Sequence, residues 1–128
     1  MSQKKSIVFM VAMAILMLGI AWALPPPAIY AGEFACTSSI GAVTHENIHV
    51  PQNATCTLNG TTVQGNITVG QNATLIAQQV EVEGNIQPTN HARVEVRDSE
   101  VGGSIQIKAG GASIVARNII DSDLQFEE

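Results

Sequence analysis

Aromatic residues make up only 4% of this 128-residue chain, and beyond residue 31 they reduce to Phe34 and Phe126. That leaves no aromatic platform of the kind sugar-binding clefts use. Charge is equally thin, at 13% of residues. From Leu24 onward four bases (Arg93, Arg97, Lys108, Arg117) face all eleven acids, a net of −7. Nucleic-acid binding needs a basic footprint, and none is present. Docking on anionic lipid by charge alone is excluded for the same reason. No stretch has the 10 to 15 residue helical pattern that a βαβ crossover requires. His45, His49 and His91 share no metal-ligand spacing and read as exposed turn or strand residues. Asp121, Asp123, Glu127 and Glu128 match neither the EF-hand nor the glycine-rich nonapeptide, so they read as a solvated acidic end. No metal and no cofactor is expected. Thr55-Cys56-Thr57 is not repeated one unit on, which removes a Thr-x-Thr ice-binding ladder.

One long apolar run does occur, from Ile7 to Leu24, behind Lys4 and Lys5 and ahead of Pro25-Pro26-Pro27. Ala21-Trp22-Ala23 places small residues at the −3 and −1 positions of a signal-peptidase site, and Ile29-Tyr30-Ala31 is a second candidate. Residues 1–31 therefore read as a signal peptide. The alternative is an uncleaved membrane anchor over residues 7–24, because the run is close to the length that spans a bilayer. Either way residues 32–128 are expected outside the cytoplasm, whether secreted, periplasmic or at the cell surface, and membrane contact is expected only if the segment is retained.

The rest of the chain rewrites one phrase. Val63-Gln-Gly-Asn-Ile-Thr-Val69 returns as Val82-Glu-Gly-Asn-Ile-Gln-Pro88, as Val101-Gly-Gly-Ser-Ile-Gln-Ile107 and, worn, as Ile120-Asp-Ser-Asp-Leu-Gln-Phe126. The aliphatic anchors Ile48, Ile67, Ile86, Ile105 and Leu124 are each 19 residues apart. Superposing the copies gives further apolar columns: Val50/Val69/Pro88/Ile107/Phe126, Ala54/Ala73/Ala92, Cys56/Leu75/Val94, Leu58/Ala77/Val96 and Val63/Val82/Val101/Ile120. Apolar and polar residues alternate within each group, the period-2 signature of a half-buried strand. Turn-forming Asn, Gly and Ser separate the groups. Each unit thus reads as three short strands and three turns. Stacking such units gives an all-β, single-domain parallel β-helix (β-solenoid) of 4–5 coils. Right-handed winding follows the handedness of crossovers between parallel strands.

The register assigns individual positions. Asn47, Asn66, Asn85, Ser104 and Asp123 fall in one column, a ladder of stacked polar side chains at a turn. Gly65, Gly84 and Gly103 precede them, as expected for a turn that needs φ > 0. Thr68, Gln87, Gln106 and Gln125 form a second polar column on the outer face. Gly110-Gly111 reads as a one-residue insertion, because Ala112, Ile114 and Ala116 lag the frame. Thr44–Asn47 reads as another, which brings Val43 onto Val63 and Cys36 onto Cys56, with a partial first coil beginning near Phe34. Neighbouring coils lie about 4.8 Å apart, within disulfide reach. Cys36 and Cys56 are therefore expected to be bridged, as paired cysteines in exported chains usually are.

Catalysis has little to work with. Glu81 and Glu100, one coil apart, with Glu83 and Glu95 nearby, suggest at most a remote carbohydrate-active β-helix enzyme. The turns are too short to build a cleft, so the chain is read as not an enzyme. Asn53, Asn59, Asn66 and Asn72 each begin an Asn-x-Thr glycosylation pattern. Asn in turns followed by Thr in strands produces that pattern without any glycan, and a glycan on Asn66 would disrupt the ladder.

The recurring Gly-Asn-Ile unit in a short aliphatic β-helix resembles the bactofilin, or polymer-forming, type of solenoid. The element Cys56-Thr57-Leu58-Asn59-Gly60 is similar to one in small exported bacterial proteins. The resemblance covers residues 34–126 and implies a non-enzymatic scaffold of the cell envelope or extracellular space, a homo-oligomer that associates end to end. The alternative is a monomeric envelope binding or adhesion module with a carbohydrate or protein partner.

Overall fold

Short alternating runs broken by Asn, Gly or Asp bury their apolar side only against their own copies one coil away. In the computed structural model, which describes residues 29–127, they do so throughout, and no helix occurs among those residues. The strands are β1 (Ile29–Ala35), β2 (Ser39–Ile40), β3 (Thr44–Val50), β4 (Thr55–Asn59), β5 (Thr62–Val63), β6 (Ile67–Val69), β7 (Thr74–Gln78), β8 (Glu81–Val82), β9 (Ile86–Arg97), β10 (Glu100–Val101), β11 (Ile105–Ala116), β12 (Ile119–Ile120) and β13 (Leu124–Glu127). The apolar segment 7–24 and its two small-residue sites, apart from the backbone of Ile29–Ala31, lie outside the described residues.

All pairings are parallel and make three faces of a solenoid of about five coils. The first face runs β1, β3, β6, the start of β9, the start of β11, then β13. The second runs β2, β4, β7 and the far halves of β9 and β11. The third runs from the start of β3 through β5, β8 and β10 to β12. Ile48, Ile67, Ile86, Ile105 and Leu124 pair in succession, so the 19-residue step is the coil. Ile48, Ile67, Ile86 and Ile105 are fully buried. Each such side chain contributes about 1.5–3 kcal/mol by leaving water, and the Val63/Val82/Val101 and Leu75/Val94 columns close the rest of the core.

Five expectations are corrected. First, the two strands expected before and after the first turn fuse in the later coils, where β9 and β11 each run 12 residues through the corner. Second, there is no insertion at Gly110-Gly111. Val94 pairs with Ser113 and Val96 with Val115, so the 19-residue step persists and Ile114 faces outward over Glu95. A one-residue slip would have turned every side chain over at the expense of the ladder hydrogen bonds.

Third, Thr44–Asn47 is one residue short rather than one long. Thr44 pairs with Thr62 and His45 with Val63, while Val43 is 37% exposed. Fourth, His45 and His91 are buried, at 3% and 2% exposure, rather than exposed. His91 takes the inward place expected for Ala92. The left-handed corner residue falls at Asn90, one place before the equivalent of Asn72, so the next residue, His91, points in, and Ala92 and Arg93 both donate their N–H to Ala73 O (2.8 and 3.4 Å). Fifth, none of Gly65, Gly84 and Gly103 has positive φ; their reason lies at the ladder they precede.

Candidate functional site

The most distinctive chemistry lies along the corner between the third and first faces. There the chain turns too sharply for the residue before each anchor to reach a backbone carbonyl of the preceding coil. A side-chain oxygen replaces it. Asn66 N–H donates to Asn47 Oδ1 (2.9 Å), Asn85 N–H to Asn66 Oδ1 (2.8 Å), Ser104 N–H to Asn85 Oδ1 (2.7 Å) and Asp123 N–H to Ser104 Oγ (3.2 Å). Backbone bonds run the other way: Ile48, Ile67, Ile86 and Ile105 donate N–H to the carbonyls of Asn66, Asn85, Ser104 and Asp123. From Ile48 onward every coil is thus tied to the next by a reciprocal pair, which satisfies the polar groups of this corner. A β-carbon on Gly84 would collide with Asn66 Oδ1 and stand 2.6 Å from Gly65 O; Gly65 and Gly103 are confined in the same way by Asn47 and Asn85. Glycine is there for close approach, not for φ.

The other two corners supply the left-handed residues. Gly60, Gln79, Asp98 and Arg117 occupy one column, all with φ between 51° and 74°. At the other corner stand Asn53 (68°) and Asn72 (57°) and, one place earlier in the 19-residue frame, Asn90 (56°) and Ala109 (44°); Asn72 Nδ2 donates to Asn53 Oδ1 (2.8 Å). A third polar row, next to the Gly60 column, was missed in the sequence reading. Thr61 Oγ1 donates to Gly41 O (2.7 Å), Ser99 Oγ accepts from Val80 N–H (3.1 Å), and Asn118 Oδ1 accepts from Ser99 N–H (2.9 Å). Its signal was a small polar residue at Thr61, Ser99 and Asn118, hidden because Val80 interrupts the column.

The outer amide column is also joined, through Gln87 Nε2 to Gln106 Oε1 (3.0 Å) and a 2.7 Å bond between His49 Nδ1 and Thr68 Oγ1. These side chains, with Thr89 and Lys108, line an open depression of about 410 Å³. The Asn-x-Thr patterns dissolve into corner chemistry. Asn53 and Asn72 are exposed left-handed corner residues, Asn59 precedes Gly60, Asn66 belongs to the ladder, and the Thr61 hydroxyl is fully buried and bonded.

Glu81 and Glu100 pair in register on the exposed third face. Glu83 and Asp121 join them around an open depression of about 240 Å³. Glu95 sits on a different face, where the Arg93 guanidinium bonds it, helped by Arg97, and holds its carboxyl below the usual range. Among the described residues no group of three or more His, Cys, Asp or Glu is placed to hold a metal ion. His91 Nε2 lies 3.0 Å from Ser113 Oγ, beside an open depression of about 450 Å³ that also touches Ile107 and Phe126.

Cys36 and Cys56 form a disulfide with Cα atoms 5.4 Å apart. They are not stacked equivalents: Cys36 directly follows Ala35, which pairs with His49, so it reaches across a foreshortened coil to Cys56. The bond closes a 20-residue separation, and the chain-entropy model assigns such a loop about 3 kcal/mol. Cys36→Ser/Cys56→Ser is therefore expected to lower the urea midpoint by about that equivalent, with a steeper slope because the freed loop makes the unfolded chain less compact. A midpoint within error of the parent would show the bond to be dispensable.

Burial lowers the pKa of both inward histidines, His45 and His91, the latter partly offset by hydrogen bonding to the Ala112 backbone. In the unfolded chain each titrates near 6.5. Above that pH neither state binds the protons, so stability is flat. As pH falls below it the unfolded state takes up protons the fold refuses, and stability declines. Urea melts at pH 7.5 and 5.5 are expected to show a lower midpoint at 5.5, and His91→Gln should reduce that difference. No family model, curated protein or solved structure matches this chain.

Proposed function

We propose that this chain is an exported, non-catalytic scaffold protein whose solenoid associates end to end, in the manner of the bactofilin-like solenoids it resembles. The observation that carries this reading is the self-complementary coil. From Ile48 onward each coil offers the next an aliphatic anchor, a side-chain oxygen and a backbone carbonyl at the same places, so the surface that stacks coils within one chain is a template for stacking chains. The bridged cysteine pair supports export, since disulfides persist in oxidising compartments. A non-catalytic role is supported by the openness of the acidic face and by the arginine pairing of Glu95.

Size-exclusion chromatography with light scattering is expected to show a molar mass that rises with protein concentration. A strict monomer at high concentration and raised salt would overturn assembly and favour the monomeric envelope-binding module. Fractionation of the native host is expected to place the chain outside the cytoplasm, and recovery solely from cytosol would overturn export.

A further inference from the structure

The first coil differs from every coil behind it in ways that all oppose stacking. From Ile48 onward the step is 19 residues. Phe34 pairs with Ile48, so the first coil closes in 14. From Ala35, opposite His49, the chain reaches Ser39, opposite Thr57, in four residues where the next coil uses eight. No described residue pairs opposite Pro51–Ala54, and the Cys36–Cys56 bond spans that cut corner.

β1 also carries a register shift between Tyr30 and Glu33, with Gly32 at φ 79° and its N–H donated to the Glu46 carboxylate. Bulges of this kind are how edge strands are kept from pairing with other chains. The amide ladder stops here too, because the residue opposite Asn47 is Glu33. Phe34, opposite Ile48, stacks on the His45 ring at 4.3 Å instead of presenting an aliphatic knob.

We propose that residues 29–43 form a disulfide-pinned cap that closes this side of the solenoid to a second copy of the chain. A copy arriving there meets a perimeter five residues too short and a bulged edge, so the three-face register cannot continue. Opening the cap would uncover Ile48–Val50 and Thr55–Asn59, whose 19-residue register does fit another coil. The inference rests on the end-to-end reading and limits it: with this side closed, the oxidised chain associates only through its β13 end, and continued stacking waits on opening of the cap.

The test compares the oxidised full-length chain with two full-length variants. One is Cys36→Ser/Cys56→Ser. The other carries Cys36→Ser/Cys56→Ser, because a full corner parts the two cysteines, and gains Pro-Gln-Asn-Ala, copied from residues 51–54, between positions 36 and 37, which restores the four residues the cut corner lacks. Sedimentation velocity and amide hydrogen exchange are followed across protein concentration. For the oxidised parent, exchange at residues 29–35 should not depend on concentration, whether or not the chain associates. The variants should form concentration-dependent dimers, with rising protection of residues 44–50 in the serine variant and of 29–35 in the lengthened one. Protection of 29–35 on association of the parent overturns the cap. So does a lengthened variant that stays folded and monomeric, which decides the matter if the serine variant unfolds. A parent that is monomeric throughout while a variant dimerises would instead overturn the end-to-end reading and leave the cap standing.

Discussion

Replacing Ile67 by Asp is expected to leave the chain unfolded at 25 °C. Ile67 has no exposed surface and is clamped between Ile48 and Ile86 by parallel pairing on both sides. The substitution forfeits about 1.5–3 kcal/mol of apolar burial. It also buries a carboxylate with no cation within the aliphatic column, a penalty of several kcal/mol more. A small domain has roughly 5–15 kcal/mol in total. Its neighbour behaves differently. Thr68 faces outward, and Thr68→Ala removes one hydrogen bond to His49, worth about 0.5–1.5 kcal/mol. Far-ultraviolet circular dichroism at 25 °C should show the parent's β spectrum for Thr68→Ala and its loss for Ile67→Asp. Equal behaviour of the two would mean the inward and outward assignments are wrong.

Gly84→Ala is the second large effect, and its logic is different because no burial changes. The new β-carbon would occupy space held by Asn66 Oδ1 and stand 2.6 Å from the Gly65 carbonyl. Both must move, and Asn66 Oδ1 is the acceptor for Asn85 N–H and Nδ2. Overpacking costs about 1–3 kcal/mol, and each lost buried hydrogen bond adds about 1 kcal/mol, so a loss of about 3–5 kcal/mol is expected. Gly84→Asn separates this cause from the backbone one. Were φ > 0 the reason for glycine, Asn would be better tolerated than Ala, since Asn adopts the left-handed region readily. With close approach as the reason, Asn should destabilise at least as much as Ala. Urea midpoints for the two variants decide it, and Asn ranking clearly above Ala would restore the φ explanation.

The case of Gly84 shows where the sequence was mute. A glycine at a fixed place in a repeat announces that something is intolerant of a side chain, but not whether the intolerance is torsional or steric. That distinction depends on what the coil below places opposite it. The same limit applies to Cys36. Its pairing with Cys56 was legible from count and compartment, yet the short coil that brings them together was not, because the frame was inferred from apolar spacing alone. His91 was misplaced for a related reason. The left-handed corner residue falls one place early, at Asn90, which changes which residue points inward, and that shift leaves no trace in composition.

By itself, the sequence determined the repeat length, the strand-and-turn character of each unit, the core columns from Ile48 to Ile105 and the identity of the amide ladder. Those follow from period-2 alternation recurring at a fixed step, which only a stack of parallel coils can satisfy. The tertiary structure alone decided where the register bends: the 14-residue first coil, the shortened Thr44–Asn47 segment, the inward histidines and the steric role of the glycines. The physical reason is that hydrogen bonding between coils, not the apolar pattern within a coil, sets the register at the ends and corners. There a ladder of backbone bonds outweighs the preference of any single side chain for the core.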